Sequence, residues 1–287
     1  MLDHRIANQT IIAVIVAATA ALIFRSWLQV SLLAGGFSPG LVADLSYLIV
    51  PPIMLLLLLP LWRPEKRYLI AQFRRADLTR SLALRALAIG LLLRLLWWST
   101  AVAGTSFGVY ATAVADPIVG PTIGIDCPVP SIMLLGFIVT AVLMPVVEEL
   151  VFRSYLLGFL RRRGPLLAIL ISALLFAIFH RSASWPFVMF TGTIFGLLYW
   201  VTGSLWSSLI AHSTFNGLIL LDWRCLSVQW NPTAAEIPAL IPGLSALALL
   251  AIGSGAMVML LHKETTEAKK RPGNRPLESV CNTLNNV

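Results

Sequence analysis

Apolar runs of about 20 residues recur along this chain, and their length constrains the fold more than any other feature. A helix rising about 1.5 Å per residue needs roughly 20 apolar residues to cross the hydrocarbon core of a bilayer. Membrane β-strands would be about half as long and would alternate apolar with polar residues. The runs therefore predict an all-α fold, a polytopic transmembrane bundle of about eight spans. They lie near residues 10–33, 41–62, 82–103, 131–160, 165–180, 187–202, 204–222 and 237–261. The fifth and sixth are short for a full crossing, and the fourth is long enough to protrude. Composition agrees. Of 287 residues, 58% are hydrophobic and 12% charged, and the mean hydropathy of +0.84 exceeds that of soluble domains. The first run follows "MLDHRIANQT" and resembles a signal core. No small-residue cleavage site follows it and more spans do, so it reads as the first span.

The net charge of +8 does not indicate nucleic acid as a partner, because the basic residues cluster in short loops. They concentrate in "RPEKRYLIAQFRRADLTRS", in Arg161–Arg163, and in a tail with Lys263, Lys269, Lys270 and Arg271. With eight spans all three regions fall on one side. The positive-inside rule then places both termini in the cytoplasm. One missed span would break that agreement. Residues Tyr68 to Leu82 mix basic and apolar positions at roughly helical spacing and read equally as a surface-lying helix or an ordinary loop. Cys127, Cys225 and Cys281 form no CxxC pair. Cys127 and Cys225 fall on the outer side, where a disulfide and two unpaired thiols both remain open.

Ionisable residues inside spans each cost roughly 2.5–3.5 kcal/mol at mid-helix, so each needs a partner, a cavity or a role. Arg25, Asp44, Arg85 and Arg94 are expected to be structural. The remaining five form a pattern. In "EELVFR", Glu149 and Arg153 are four residues apart and share a helix face, where they can form an ion pair. Glu148 is rotated by about 100° from Glu149 and is left for chemistry. "FAIFH" aligns Phe176 with His180, and "HSTFN" aligns His212 with Asn216. Counted from the cytoplasmic ends, Glu148 lies about 18 Å deep, His180 about 22 Å, His212 about 12 Å and Asn216 about 18 Å. Polar groups on three helices thus converge near mid-membrane, as in a site built inside a bundle.

A carboxylate and an imidazole at one water-accessible point can activate water, with Glu148 as general base and His180 positioning or sharing the proton. His212 and the amide of Asn216 are donors suited to an oxyanion. No cysteine lies in these helices, and Ser213 is adjacent to His212 in sequence, the wrong geometry for activation. Glu148, His180 and His212 also form a plausible zinc set, although HExxH is absent. A metal-free glutamate mechanism is the favoured expectation, with zinc the alternative.

These three stretches, in order on successive helices, resemble the EExxxR, FxxxH and HxxxN motifs of the CPBP intramembrane protease family. That family includes the CAAX prenyl endopeptidases and the bacterial immunity-type Abi proteins. The resemblance covers about residues 131–222, read as the catalytic core. Residues 1–130 then form N-terminal spans with a basic cytoplasmic loop and an outer loop. Residues 223–287 form an outer loop, a last span and a cytoplasmic tail. The resemblance implies an intramembrane endopeptidase acting on a membrane-anchored peptide or protein in a bacterial cytoplasmic membrane. Glu148 would activate water beside His180, His212 and Asn216 would hold the oxyanion, and Glu149 and Arg153 would maintain helix geometry. Two other classes remain as alternatives: a proton-coupled transporter, against which no internal repeat is visible, and a catalytically silent immunity-type protein on the same fold.

Overall fold

The computed structural model describes residues 2–37, 39–62, 78–106, 130–180, 184–220 and 240–270. The Asp44 side chain, the basic loop 63–77, the three cysteines and the tail after Lys270 lie outside that description. The described chain is all-helical and forms eight rods, one for each expected span. They are Leu2–Ala34; Pro39–Leu48 continued by Val50–Trp62; Arg80–Ser106; a segmented rod from Pro130 to Arg163; Pro165–Ile178; Trp185–Thr202; Leu205–Leu220; and Leu240–Lys270. Five of them contain windows long and apolar enough to cross a membrane: Ile11–Ala34, Arg80–Thr100, Leu134–Leu160, Trp185–Thr202 and Gly243–Thr266. Leu45–Leu58 and Pro165–Ile178 are shorter apolar helices. The outer faces carry exposed Val16, Ile23, Ile252 and Met259. Hydrocarbon, not water, suits such surfaces, and the protein is an integral membrane helical bundle.

Glycine and proline set the breaks that matter here. Gly164 adopts φ 88, a region open to glycine, and Pro165 supplies the first residue of the next helix. Gly203 ends Trp185–Thr202 in a left-handed conformation with its N–H on the Tyr199 carbonyl at 2.9 Å. The chain therefore reverses within two residues, which lays Leu205–Leu220 against Trp185–Thr202.

Small residues let helices approach. Gly192 and Gly196 are four apart on Trp185–Thr202 and face Pro165–Ile178. A Cβ at Gly192 would meet the Phe176 ring at 3.0 Å, and one at Gly196 would meet Ile169 at 3.2 Å. Gly90 is tighter still. A Cβ there would lie 2.5 Å from the Ala211 carbonyl and 2.7 Å from Thr214 Cβ. Helix Arg80–Ser106 thus lies backbone against backbone with the helix that carries His212.

The rod from Pro130 to Arg163 is the central element and is not uniformly α-helical. Residues Ile138–Leu143 and Glu149–Leu157 are wound as π-helix, with Met144–Glu148 as one α-helical turn between them. Pro145 is the second residue of that turn. Its ring would clash with the carbonyl four residues back in a regular helix, and the wider turn before it relieves this. On one side the rod packs in an apolar cluster with Val14, Met54, Leu58, Phe176 and Tyr199. A second cluster joins Ile89, Leu93, Phe195, Ala211 and Met257. The polar residues of the rod lie between these clusters.

The other intramembrane cations have local partners. Arg85 pairs with Glu264 and Ser81, tying Arg80–Ser106 to Leu240–Lys270. The Arg25 guanidinium lies 3.5 Å over the Tyr47 ring, and that of Arg94 lies 5.8 Å over Trp98.

Candidate active site

Glu148 and Glu149 occupy the junction between the α-helical turn and the second π-helical segment. Their environments differ. Glu149 is fully sealed, whereas the Glu148 side chain retains 12% exposure. Arg153, also sealed, places Nε 3.4 Å from Glu149 Oε2, close enough for an ion pair but long for a hydrogen bond. Its Nη2 donates to the Gly192 carbonyl at 3.1 Å. The guanidinium also lies 4.6 Å from the Phe176 ring centroid and 5.7 Å from that of Phe195. A sealed cation in such a place is held by a carboxylate, a carbonyl and two ring faces together.

His212 is bracketed by both carboxylates. Its Nδ1 lies 2.9 Å from Glu149 Oε1, and its Nε2 lies 3.5 Å from Glu148 Oε2. A carboxylate accepts, so Nδ1–H donates to Glu149. The imidazole stacks on Phe195 with centroids 4.6 Å apart and planes at 19°, and meets Phe176 edge-on at 5.7 Å. These contacts fix the ring plane. The Arg153 cation offsets the sealed Glu149 carboxylate, which lowers the cost of holding that charge in a membrane.

His180 sits two residues past the end of Pro165–Ile178. Its Nδ1 lies 2.8 Å from the Phe176 carbonyl. A carbonyl only accepts, so Nδ1 carries a proton and Nε2 is the ring nitrogen left facing away from that contact. Trp185 Nε1–H donates to the His180 carbonyl at 2.9 Å, which closes the end of that helix. The His180 ring packs 4.7 Å from Phe176. Phe176 therefore touches both histidines and the Arg153 guanidinium. Among the described residues no hydrogen bond links the His180 ring to Glu148; the imidazole beside Glu148 is that of His212. Asn216, one turn beyond His212, donates from Nδ2 to the Thr140 carbonyl at 3.0 Å.

Three residues around the site have no place in the motifs. Phe195 forms the stacking wall of His212, Gly192 supplies the Arg153 acceptor, and Ser172 donates to the Phe152 carbonyl at 2.7 Å. The four-residue glycine spacing in Trp185–Thr202 is the one sequence signal that points toward Gly192. Phe195 reads as one apolar residue among many.

A zinc ion needs three or four donors converging on one point. Among the described residues no three His, Cys, Asp or Glu side chains gather as a metal-holding group. Both ring nitrogens of His212 face carboxylates, and Nδ1 of His180 is on a backbone carbonyl. In this arrangement His212 Nε2 and Glu148 Oε2 lie 3.5 Å apart, and Nδ1 of His180 is held by its own helix.

Residues 130–218 match the family model described as type II CAAX prenyl endopeptidase Rce1-like. This chain carries a CAAX-protease (CPBP) family segment. The segment begins with the segmented rod and ends two residues after Asn216, so it contains every residue of the site. Its family supports a peptidase of the CAAX type within a membrane-embedded helical protein, with a bilayer and peptide or protein substrates as its setting. No curated protein and no solved structure matches the chain.

Proposed function

We propose that the protein is an intramembrane endopeptidase in which Glu148 activates water for attack on a peptide carbonyl. The observation that carries this reading is the inequality of the adjacent carboxylates. Glu149 is sealed and held by Arg153 and His212, while Glu148 alone keeps access to the site. Glu148 takes a proton from water as the O–C bond forms. The tetrahedral oxyanion is stabilised by donors already aimed within the bundle. Asn216 has a second amide N–H beyond the one given to Thr140. His212, held by its Nδ1 contact to Glu149 and its stack on Phe195, presents Nε2 beside Glu148, where the oxyanion forms. As the C–N bond breaks, Glu148 returns the proton to the leaving amine. His180, through Nε2, accepts a hydrogen bond from the attacking water. The substrate is a membrane-anchored peptide, and the glutamate mechanism needs no metal.

The test uses purified protein in lipid nanodiscs with two quenched fluorogenic peptides. One is farnesylated before a CAAX-type C-terminus; the other is a leader peptide anchored by an apolar segment. Glu148→Ala is expected to lower cleavage of whichever peptide is used by roughly 10²–10⁴-fold. Folded Glu148→Ala protein cleaving at the wild-type rate would overturn the proposal. Activity lost to a chelator and regained only with zinc would reject the metal-free version.

A further inference from the structure

The Asn216–Thr140 contact has a cause in the backbone of the central rod. In an α-helix the Thr140 carbonyl would accept from the N–H of residue 144; in a π-helix it would accept from residue 145. Here the Met144 N–H is on the Val139 carbonyl, and residue 145 is proline, which has no N–H. Both regular donors for Thr140 are therefore removed. A carbonyl without a donor is costly inside a membrane bundle. Asn216 Nδ2 supplies the donor from another helix, at 3.0 Å. Because the carbonyl can only accept, the nitrogen end of the amide faces Thr140. One N–H and Oδ1 then remain in a fixed plane.

We propose that Pro145 is a positioning residue for Asn216: by leaving the Thr140 carbonyl without a backbone donor, it creates the acceptor that orients the Asn216 amide. The inference rests on the reading of Asn216 as an oxyanion donor only for its kinetic consequence. The hydrogen bond itself is independent of that reading. The arrangement also explains why a proline stands three residues before Glu148 in the interior of a long span. The same missing N–H that accompanies the widened turn before the glutamates aims a side chain on a different helix.

The experiment restores the missing donor. Pro145→Ala gives residue 145 an N–H that competes for the Thr140 carbonyl. In protein carrying ¹⁵N-asparagine and ¹³C-carbonyl threonine in nanodiscs, the Asn216 amide resonance is assigned by its loss in Asn216→Ala. It is expected to shift in Pro145→Ala. Unchanged Asn216 resonances in folded Pro145→Ala would overturn the proposal, whether or not any peptide is cleaved. In kinetics with the fluorogenic peptides, Pro145→Ala is expected to lower kcat about tenfold with KM unchanged. It should have no further effect in an Asn216→Ala background. Independent, additive losses would assign Pro145 a purely structural role and overturn the proposal. Should Pro145→Ala not fold, the Thr140 carbonyl resonance is compared between wild type and Asn216→Ala. A shift there supports the pairing, and none removes its basis. A wild-type protein that cleaves neither peptide, yet shows the expected resonance shifts, separates failure of the protease reading from failure of this one.

Discussion

The central rod and the last helix are nearly equal in apolarity and differ in almost everything else. The windows Leu134–Leu160 and Gly243–Thr266 have mean hydropathies of 2.1 and 2.2, yet 39% of the first is buried inside the bundle and 17% of the second. The last helix runs as one α-helix from Leu240 to Lys270, with Ile252, Val258 and Met259 exposed on its outer face. The rod passes into π-helical winding twice and seals Glu149, Arg153, Val151 and Leu156. Lipid tails and a protein interior are both apolar, so transfer from water does not distinguish them. What separates the two helices is the cost of placing charge. The rod carries an ion pair and a second carboxylate because neighbouring helices supply a histidine, a carbonyl and aromatic faces. The last helix keeps its buried carboxylate, Glu264, near one end, where Arg85 meets it.

Breaking the ion pair should have the largest effect on stability. Arg153→Met leaves the sealed Glu149 without its cation and is expected to cost about 3–5 kcal/mol. Denaturant titration of the detergent-solubilised protein measures this, and a loss below about 0.5 kcal/mol would mean that His212 alone neutralises Glu149. A paired truncation then tests burial directly. Leu156→Ala, in the rod, should cost about 2–5 kcal/mol, whereas Ile252→Ala, on the last helix, should stay within about 0.5 kcal/mol. Equal losses would erase the distinction between the two helices.

A pair of glycines gives a smaller contrast. Gly90→Ala inserts a Cβ 2.5 Å from the Ala211 carbonyl, and the backbone must yield, at about 1–3 kcal/mol. Gly255, on the last helix, has open space around its Cβ position, so Gly255→Ala should be neutral or stabilise by up to about 1 kcal/mol. Because Ala211 precedes His212, Gly90→Ala should also slow peptide cleavage, whereas Gly255→Ala should not. Equal cleavage rates for the two variants would show that the approach of these helices does not tune the His212 position.

Much of this architecture is legible in one dimension. Long apolar runs can satisfy their backbones in a membrane only as helices, so the all-α bundle and its eight rods follow from run length. The polar residues interrupting those runs mark the rods that meet: 130–163, 165–178 and 205–220. Helical spacing also shows that adjacent glutamates cannot share one environment. The identity of the imidazole beside Glu148 is not legible. Helical depth counts place His180 nearer in height, yet the structure brings His212 against both carboxylates and turns His180 Nδ1 back onto its own helix. Spacing along one helix fixes angular position, but azimuth between helices is set by packing. Here Gly90 and the turn at Gly203 bring the His212 helix in close. Nor does the sequence disclose that Asn216 answers a vacancy left by Pro145, since that requires knowing which carbonyl the wound rod leaves bare. The sequence by itself determined that this protein is a helical membrane bundle with carboxylates, histidines and an asparagine in its core. Only the tertiary structure decided which of them touch, because those contacts depend on helix rotation and approach, and one-dimensional periodicity does not carry either.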